Sequence, residues 1–256
     1  MIDALYIGAS GMQAQQLQVD TIANNLTNMN TPAFKKSRVS FHDVIQRELV
    51  ESMGDGGVLQ RVRGAGVGIE GTAVEFAPGD LKATGSSWDV AIRGNGFIAV
   101  EMPDGSLGYS RGGTLRAGVD GFLTTEQGYR VHPALQVPSD AKSLRVEADG
   151  RVSALIEGSE PVELGMIDLA GFTNPAGLQA LGGGVYRPTE RSGDAVTGRA
   201  GENGLGELAQ GQLEMSNVKM IDEMVSLMLA QRAYEMSTKL VQAADEMMAL
   251  TNNMRR

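Results

Sequence analysis

The chain of 256 residues contains no cysteine, and only 5% of its residues are aromatic. The absence of cysteine excludes a disulfide framework and thiolate chemistry, but it leaves the redox compartment undecided. Basic residues are also few, and the formal net charge is -9. Nucleic acid and anionic lipid would be repelled unless a local basic patch overrode this balance, and the only basic cluster is Lys35, Lys36 and Arg38. We therefore expect no nucleic-acid partner.

The N-terminal segment lacks both a basic start and an uninterrupted apolar run. It therefore predicts neither a cleavable secretory signal nor a transmembrane helix, and we expect any export to use another route. Charge is scarce here as well, since Asp3 and Asp20 are the only charged side chains before position 34. A solvent-facing helix usually carries Glu and Lys, whereas an enclosed helix must avoid unpaired charge. The composition therefore indicates a helix surrounded by partners.

Apolar residues recur at intervals of three and four along both ends of the chain, as in the seam of a coiled coil. The N-terminal seam consists of Ile2, Leu5, Ala9, Met12, Gln16, Val19, Ala23 and Leu26. The C-terminal seam includes Val218, Ile221, Val225, Leu229, Met236, Leu240 and Met247. We expect Ser216 to be the N-cap of the second helix. The two terminal helices are predicted to pair as a coiled coil through these seams.

Between the helical runs, glycine is frequent and Asp-Gly pairs separate short segments of alternating polarity. Such segments are typical of β-hairpins, and no helical period separates them. The sequence therefore predicts an α+β protein with a central antiparallel β domain at residues 79–201. The flanking parts would be an N-terminal axial helix at 1–30, a β-rich or extended connector at 31–78, and a return segment with the C-terminal axial helix at 202–256.

Few patterns in the chain point to chemistry. Residues 66–71 match the glycine spacing of a dinucleotide-binding loop, but no helix follows whose N-terminus would hold a pyrophosphate. His42 and His132 lie apart without neighbouring ligands, and the carboxylates show no pairing that favours acid–base catalysis. We expect no enzyme activity, no cofactor, no metal site and no small-molecule substrate.

Three stretches carry a resemblance to a known family. They are ANNLTNMNTPAFK at residues 23–35, DVAIRGNGFIAV with the following YSRGGTLRAGVDGFLTTEQGYRV, and SNVKMIDEMVSLMLAQRAYEMSTKLVQAADEMM at residues 216–248. In this order they resemble the bacterial flagellar rod and hook family. The positions that carry the terminal motifs are Asn24, Asn25, Asn28, Thr31, Pro32, Phe34, Ser216, Asn217, Gln231, Arg232, Tyr234 and Glu235.

The resemblance implies a structural subunit whose terminal helices form the inner tube of a helical assembly. Such an assembly is a rigid hollow axle that transmits torque from motor to hook and serves as an export conduit. The implied partners are further copies of the chain, proximal rod proteins, the hook protein, the outer-membrane and peptidoglycan bushing rings, and the flagellar type III export apparatus. The implied location is the rod in the periplasm, reached without a cleaved signal peptide. Length and central domain resemble the distal rod members most.

Departures from the family pattern leave alternatives open. Ala33 stands where the family usually has glycine, so we expect that a left-handed backbone is not obligatory there. The insert at residues 46–63 is short for a distal rod subunit, which keeps a proximal rod subunit or a paralogue from a second flagellar system as alternatives. The asparagines around position 25 would serve an assembly, but ordinary turn chemistry also accounts for them. A glycan-binding or glycan-acting β domain oligomerised by a coiled coil is the remote alternative.

Overall fold

The computed structural model describes residues 2–51, 58–156 and 160–254. In these ranges the chain forms two α-helices and eighteen strands, with one turn of 3-10 helix between the thirteenth and fourteenth strands. The elements are α1 (Ile2–Thr27), β1 (Ser37–Glu51), β2 (Val58–Val74), β3 (Leu81–Ala83), β4 (Asp89–Arg93), β5 (Phe97–Glu101), β6 (Leu107–Ser110), β7 (Gly112–Ala117), β8 (Leu123–Thr125), β9 (Arg130–Val131), β10 (Ala141–Val146), β11 (Arg151–Ile156), β12 (Val162–Met166), β13 (Leu169–Gly171), β14 (Gln179–Gly182), β15 (Val185–Arg187), β16 (Val196–Gly198), β17 (Glu207–Gln210), β18 (Gln212–Glu214) and α2 (Met220–Asn253).

The element order confirms the predicted α+β class, with a helix at each end and a central antiparallel β-rich domain. The described residues form two compact units. The helical unit draws on Met1–Thr27, Ser37–Ala73 and Lys219–Arg256, and the β unit draws on Asn28–Lys36 and Val74–Val218. The four-segment division expected from the sequence stays a prediction.

In the helical unit, α1 and α2 approach each other along small side chains. A Cβ at Gly8 would lie only 2.6 Å from Val241 Cγ2, and one at Gly11 would lie 3.5 Å from Ser237 Oγ. Ala14, Ala230 and Ala244 are buried. Each glycine disfavours an isolated helix by about 1 kcal/mol relative to alanine. Close approach of the two helices explains why glycine is present at Gly8.

Strands β1 and β2 form a two-stranded sheet in the same unit. The stretch with the glycine spacing of a dinucleotide loop lies inside β2, where its glycines allow close packing. A Cβ at Gly66 would lie 2.4 Å from Ser10 Oγ, and one at Gly68 would lie 2.4 Å from His42 Nε2. The backbone of β2 therefore passes close to the Ser10 hydroxyl group on α1 and to the His42 imidazole ring on β1. Residues 52–57 of the predicted insert lie outside the described residues.

The β unit is built around one large sheet with the strand order β14-β15-β6-β5-β9-β8-β7-β4-β17, to which β13 and β16 are added beside β5. Strands β10, β11 and β12 form a second sheet, and β18 pairs with β3. Three hairpins turn at Asp-Gly pairs, where Gly105 has φ 79, Gly121 has φ 75 and Gly150 has φ 97. Positive φ values of this kind favour glycine, and they confirm the hairpin turns predicted at the Asp-Gly pairs.

Two apolar clusters fill the β unit. The larger is aliphatic and is formed by residues such as Val90, Ile98, Leu123, Leu144 and Leu169. The smaller is aromatic and packs edge to face, with ring centroids 4.8 Å apart for both Phe76–Tyr186 and Tyr109–Phe172. Such pairs add about 0.5–1.5 kcal/mol each beyond their buried area. Burial raises the pKa of Tyr186 to about 12.

Candidate assembly interface

Most of the predicted seam of α2 is turned away from α1, and only Leu240 among its described residues is placed near α1, with its Cδ2 3.5 Å from the position of a Cβ at Gly8. Ile221 is 76% exposed and Leu229 is 63% exposed. Along the same helix Val225, Met236, Leu240 and Met247 are exposed, whereas Val218, just before the helix, is half-buried. The side that contacts α1 carries mainly small residues, such as Ala230 and Ala244, with Val241 close to Gly8. The two helices therefore pack together while most of the large apolar side chains of α2 stay in solvent.

The seam of α1 shows the same arrangement in weaker form. Leu5, Met12, Val19 and Leu26 are half-buried, and Ala9, Gln16 and Ala23 are exposed. Ile2 begins the helix, and its side chain lies outside the described part. Among the residues from Leu5 to Thr27, whose burial is described, the buried ones are Gly8, Ala14, Ile22 and Asn25. The contact within the chain thus uses a neighbouring face, which leaves much of the seam accessible.

This exposed seam is energetically unfavourable for an isolated subunit. Complete burial of one Leu, Ile or Met side chain contributes about 1.5–3 kcal/mol. Contiguous exposed apolar surface marks a site of protein–protein or membrane interaction. None of the helices in the described residues is both long and apolar enough to cross a membrane. The exposed apolar side chains make the seam a candidate interface with other protein subunits.

Asn25 of the family motif joins three elements of the helical unit. It is 1% exposed. Its Oδ1 accepts from the Ser37 N–H at 2.9 Å, and its Nδ2 donates to the Ser37 carbonyl at 2.9 Å and to Glu223 Oε2 at 3.2 Å. Buried amides need such partners, because an unsatisfied polar group is costly. One side chain thereby fixes α1 to the start of β1 and to the first turn of α2.

The remaining motif residues near α1 form a turn. Asn24 is exposed on the last turn of the helix, and Pro32 is exposed beyond it. The Thr31 N–H donates to the Asn28 carbonyl at 3.0 Å, and the Thr31 hydroxyl donates to Asn28 Oδ1 at 3.3 Å. Phe34 is half-buried and donates its N–H to the Thr31 carbonyl at 3.3 Å. These contacts are the turn chemistry expected of such residues.

Ala33 corrects one expectation from the sequence. Its φ is 58, so the left-handed conformation that glycine would supply in the family is adopted by alanine. The residue is 5% exposed, and its N–H donates to the Glu214 carbonyl at 2.7 Å. An L-residue in this region is disfavoured by roughly 1–2 kcal/mol. Tertiary contacts therefore hold a backbone conformation that the side chain resists.

The C-terminal motif also differs from expectation at its start. The helix α2 begins at Met220, so Ser216 is not its N-cap. The Ser216 hydroxyl instead accepts from the N–H two residues later at 3.2 Å. Asn217 Oδ1 accepts from the Lys36 N–H at 2.7 Å, and its Nδ2 donates to the Glu75 carbonyl at 2.8 Å. Within the β unit, Asn217 therefore bonds the end of the second segment to Lys36, at the end of the first segment, and to Glu75, near the start of the second.

The central Gln-Arg-Ala-Tyr-Glu motif lies on α2. Gln231, Arg232, Tyr234 and Glu235 are all exposed. Glu235 precedes Lys239 by one helical turn, which is a favourable order for opposite charges on a solvated helix face. The motif therefore presents polar groups beside the apolar seam.

A buried ion cluster in the β unit was not predicted from the sequence. Lys35 Nζ lies 2.7 Å from Glu214 Oε1, and Arg111 Nε lies 3.1 Å from Glu214 Oε2, with all three side chains at most 2% exposed. Lys35 also donates to the Ala77 carbonyl at 2.8 Å. Arg111 donates to the carbonyls of Gly96 at 2.6 Å and Gly94 at 2.8 Å. Lys35 therefore does not belong to a surface basic patch.

The ionisation of this cluster reflects competition between burial and pairing. Burial opposes the charged form of Glu214, but the charge and hydrogen bonds of Arg111, with the bonds from Lys35 and the Gly79 N–H, hold its pKa below the usual value. For Lys35, burial outweighs the pairing with Glu214 and lowers its pKa. In the sequence, Glu214 lies 179 positions from Lys35 and 103 positions from Arg111. No local pattern in the sequence signals such a contact.

The β unit has two clefts large enough for a small ligand. One, of about 510 Å³, is lined by residues including Trp88, Thr114 and Val137, and the other, of about 500 Å³, by residues including Phe172 and Leu205. Neither is lined by His, Asp or Glu among the described residues. Among the residues that the structure describes, no group of three or more His, Asp or Glu side chains could hold a metal ion. His42 and His132 lie on β1 and directly after β9.

A helical unit with a solvent-exposed apolar seam, joined to a well-packed β unit, defines a subunit of a larger protein assembly. Comparison with known proteins identifies the class. Residues 5–35 match the family described as flagella basal body rod protein, residues 91–154 match the flagellar hook protein FlgE/F/G D1 domain, and residues 209–254 match the flagellar basal body rod FlgEFG protein C-terminal region.

Individual relatives extend this match over the whole chain. The chain is 42% identical to flagellar basal-body rod protein FlgG of Borreliella burgdorferi over 100% of both proteins. It is 37% identical to the FlgG protein of Caulobacter vibrioides over 99% of this chain and 100% of the relative. It is 30% identical to flagellar basal-body rod protein FlgF of Mesorhizobium japonicum over 94% of this chain and 92% of the relative. The chain belongs to the flagellar basal-body rod and hook family.

Proposed function

We propose that this chain is a structural subunit of the distal flagellar rod, which polymerises helically through the seams of α1 and α2. The observation that carries the proposal is the exposure of the α2 seam, from Ile221 to Met247, on a helix whose other side is already packed against α1. The full-length match to FlgG proteins supports the distal position.

Assembly would extend the helix pair into a multi-stranded coiled coil. Leu229, Met236 and Leu240 follow one another at the spacing with which seam residues insert between side chains of a facing helix. In such a polymer the seam would meet a different surface of the next subunit, and a heterologous contact of this kind builds an open helix when its rotation does not close. The low charge of α1 fits a helix enclosed by neighbours.

Torque transmission requires subunits that resist deformation. The β unit supplies stiffness through its aliphatic core, its edge-to-face aromatic cluster and the Lys35–Glu214–Arg111 cluster. Protein interiors packed in this way have low compressibility and transmit strain. The resulting tube would be a rigid hollow axle between motor and hook, and its lumen would serve as an export conduit. We assign it no enzymatic activity and no cofactor.

Family membership supports further partners. Neighbours along the axle would be further copies of this chain, the proximal rod proteins and the hook protein. The outer-membrane and peptidoglycan bushing rings would surround the rod in the periplasm. The subunit would reach that location through the flagellar type III export apparatus, without a cleaved signal peptide.

A proximal rod subunit is the second candidate, because the chain also matches a FlgF protein over 94% of its length. Microscopy of basal bodies from a deletion strain separates the two. Loss of only the hook-side part of the rod supports the distal position, whereas loss of rod nearer the motor supports the proximal one. Saccharide binding by the full-length protein would instead favour the remote alternative of a glycan-binding β domain.

Electron microscopy of concentrated full-length protein tests the polymerisation. We expect straight tubes from the unaltered chain and none from the double variant Leu229→Asp and Met236→Asp, because charge on the seam cannot be buried without a partner. Gln242→Asp, on an exposed polar position of the same helix, is the matched control and should still form tubes. Tubes from the double variant would contradict the assigned interface.

A further inference from the structure

The exposed surface of α2 is rich in methionine. The chain has 14 methionines and no cysteine, so the thioether is the only oxidisable sulfur group that it contains. Met236 is 68% exposed. The other exposed methionines within the helix are Met220, Met224, Met228 and Met247. Met236 and Met247 belong to the seam itself, and the others flank it or lie on the adjoining exposed surface.

Of the other described methionines, Met254, directly after the helix, is 82% exposed, and the rest are half-buried. Met12 is half-buried between the two helices, where its sulfur accepts a hydrogen bond from the Thr238 hydroxyl at 3.6 Å. In the β unit Met102, Met166 and Met215 are half-buried. Access to oxidants governs thioether oxidation, so these residues provide an internal reference. Among the described residues, the unassembled chain should therefore be oxidised first on α2 and at Met254, which directly follows it.

We propose that the exposed methionines of α2 form an oxidation-sensitive site that controls assembly. Hydrogen peroxide is the oxidant class. The thioether sulfur attacks one peroxide oxygen, the O–O bond breaks, and an S–O bond forms. The sulfur loses two electrons, and the departing hydroxide takes up the proton released by the oxygen now bound to sulfur and leaves as water. The product is methionine sulfoxide, which a methionine sulfoxide reductase returns to the thioether.

The effect on assembly follows from the polarity of the product, and it rests on the proposed function. A thioether is apolar and adaptable, and it fills irregular gaps in a helical interface. A sulfoxide carries a strong dipole that must be desolvated when the seam is buried, and an unsatisfied polar group opposes burial. Oxidised subunits would therefore be excluded from the polymer. Assembled subunits would be protected, because their seam sulfurs are covered.

The first test needs no polymer. The full-length protein is exposed to dilute hydrogen peroxide, and sulfoxide formation is followed for each peptide by mass spectrometry. Met228, Met236 and Met247 are expected to react several times faster than Met166. Equal rates, or faster reaction at Met166, would overturn the proposal whether or not the protein polymerises.

The second test measures the effect on assembly. Oxidation is expected to raise the critical concentration for tube formation about tenfold or more, since several interface side chains become polar together. The full-length variant with the five substitutions Met220→Leu, Met224→Leu, Met228→Leu, Met236→Leu and Met247→Leu keeps the apolar volume and should assemble equally before and after peroxide. Treatment with a methionine sulfoxide reductase should restore the unaltered protein.

The outcomes separate this inference from the proposed function. If the oxidised unaltered protein assembles as well as the reduced protein, the inference is overturned while the assembly proposal stands. If the leucine variant loses assembly after peroxide as the unaltered protein does, another site is responsible and the inference also fails. If neither the unaltered protein nor the leucine variant forms tubes before peroxide treatment, the proposed self-assembly is contradicted. The inference that methionine oxidation controls that assembly then fails as well.

Discussion

The two units of the chain distribute large and small side chains in opposite ways. In the β unit the bulky aliphatic and aromatic residues are inside, and even charged residues such as Lys35 and Glu214 are buried as bonded pairs. In the helical unit the residues between α1 and α2 are mostly small, such as Gly8 and Ala230, while Leu229 and its neighbours are exposed. The β unit therefore closes its core within one chain, whereas the helical unit leaves most large apolar side chains of α2 exposed.

This difference predicts different responses to mutation. Stability of the β unit should depend on contacts within the chain, because its core is already closed. Helix pairs with few large buried side chains are marginal, since most helical stability in proteins comes from packing of an apolar face. Substitutions in the helical unit should therefore affect assembly more than they affect the unfolding of the monomer.

The largest effect on folding is expected from Glu214→Gln in the β unit. Its loss leaves Lys35 and Arg111 as buried cations without their carboxylate, and breaking a buried pair in this way destabilises a protein by about 3–5 kcal/mol. Chemical denaturation of the full-length protein measures the change. Glu126→Gln, which removes an exposed partner of Arg116, is the control and should change stability by about 0–1 kcal/mol. Similar small effects at both sites would contradict the importance of the cluster.

Acid should weaken the same cluster. The pKa of Glu214 is held below its usual value in the folded state, so its contribution to stability is complete above the unfolded pKa of about 4.3. That contribution is lost as the pH falls through the lower folded pKa. Denaturation curves from pH 6 downward should show decreasing stability of the β unit. The pH dependence should be shallower in Glu214→Gln, and an unchanged slope would exclude Glu214 as its source.

A smaller loss is expected from Asn25→Ala in the helical unit. The substitution removes the bonds to Ser37 and Glu223 and leaves buried polar groups without that partner, which destabilises a fold by about 1–3 kcal/mol. Hydrogen exchange of the α1 amides in the full-length protein measures it. Gln13→Ala, on an exposed position of the same helix, should have little effect. Equal exchange in the two variants would argue against the linking role of Asn25.

The smallest effect, and a gain in stability, is expected from Ala33→Gly. Glycine adopts the left-handed backbone at this position without the steric penalty of a Cβ, which should stabilise the β unit by up to about 1 kcal/mol. Thermal unfolding of the full-length protein measures the change. Ala117→Gly, on an exposed strand position, should be destabilising instead. A loss of stability in Ala33→Gly would show that the buried methyl group matters more than the backbone strain.

The elements that follow from short-range patterns could be predicted from the sequence. The seam spacing identified both helices, and Asp-Gly pairs such as Asp120-Gly121 marked the hairpins. The start of α2 was placed too early, because the Ser216 hydroxyl bonds to the next turn of the chain rather than capping a helix. A serine in such a local sequence can either cap a helix or bond to a nearby backbone N–H in a turn.

Features that depend on long-range contacts were not predictable. Period alone shows that α2 has an apolar face, but it does not tell whether that face meets α1 or another chain. The choice depends on the close approach at Gly8, which only the folded structure displays. Likewise, Glu214 is one of many carboxylates in the sequence, and its pairing with Lys35 across 179 positions leaves no local trace. The conformation of Ala33 was missed for the same reason, because a distant carbonyl holds its N–H.

The central claim is that the exposed seam of α2 becomes buried between subunits, and the absence of cysteine allows a direct measurement. Single Leu229→Cys and Gln242→Cys variants are labelled with a maleimide before and after polymerisation. A thiol reacts only when it is accessible, so we expect labelling at position 229 to slow by about tenfold or more in the polymer while labelling at position 242 changes little. Unchanged labelling at position 229 in well-formed tubes would contradict the account.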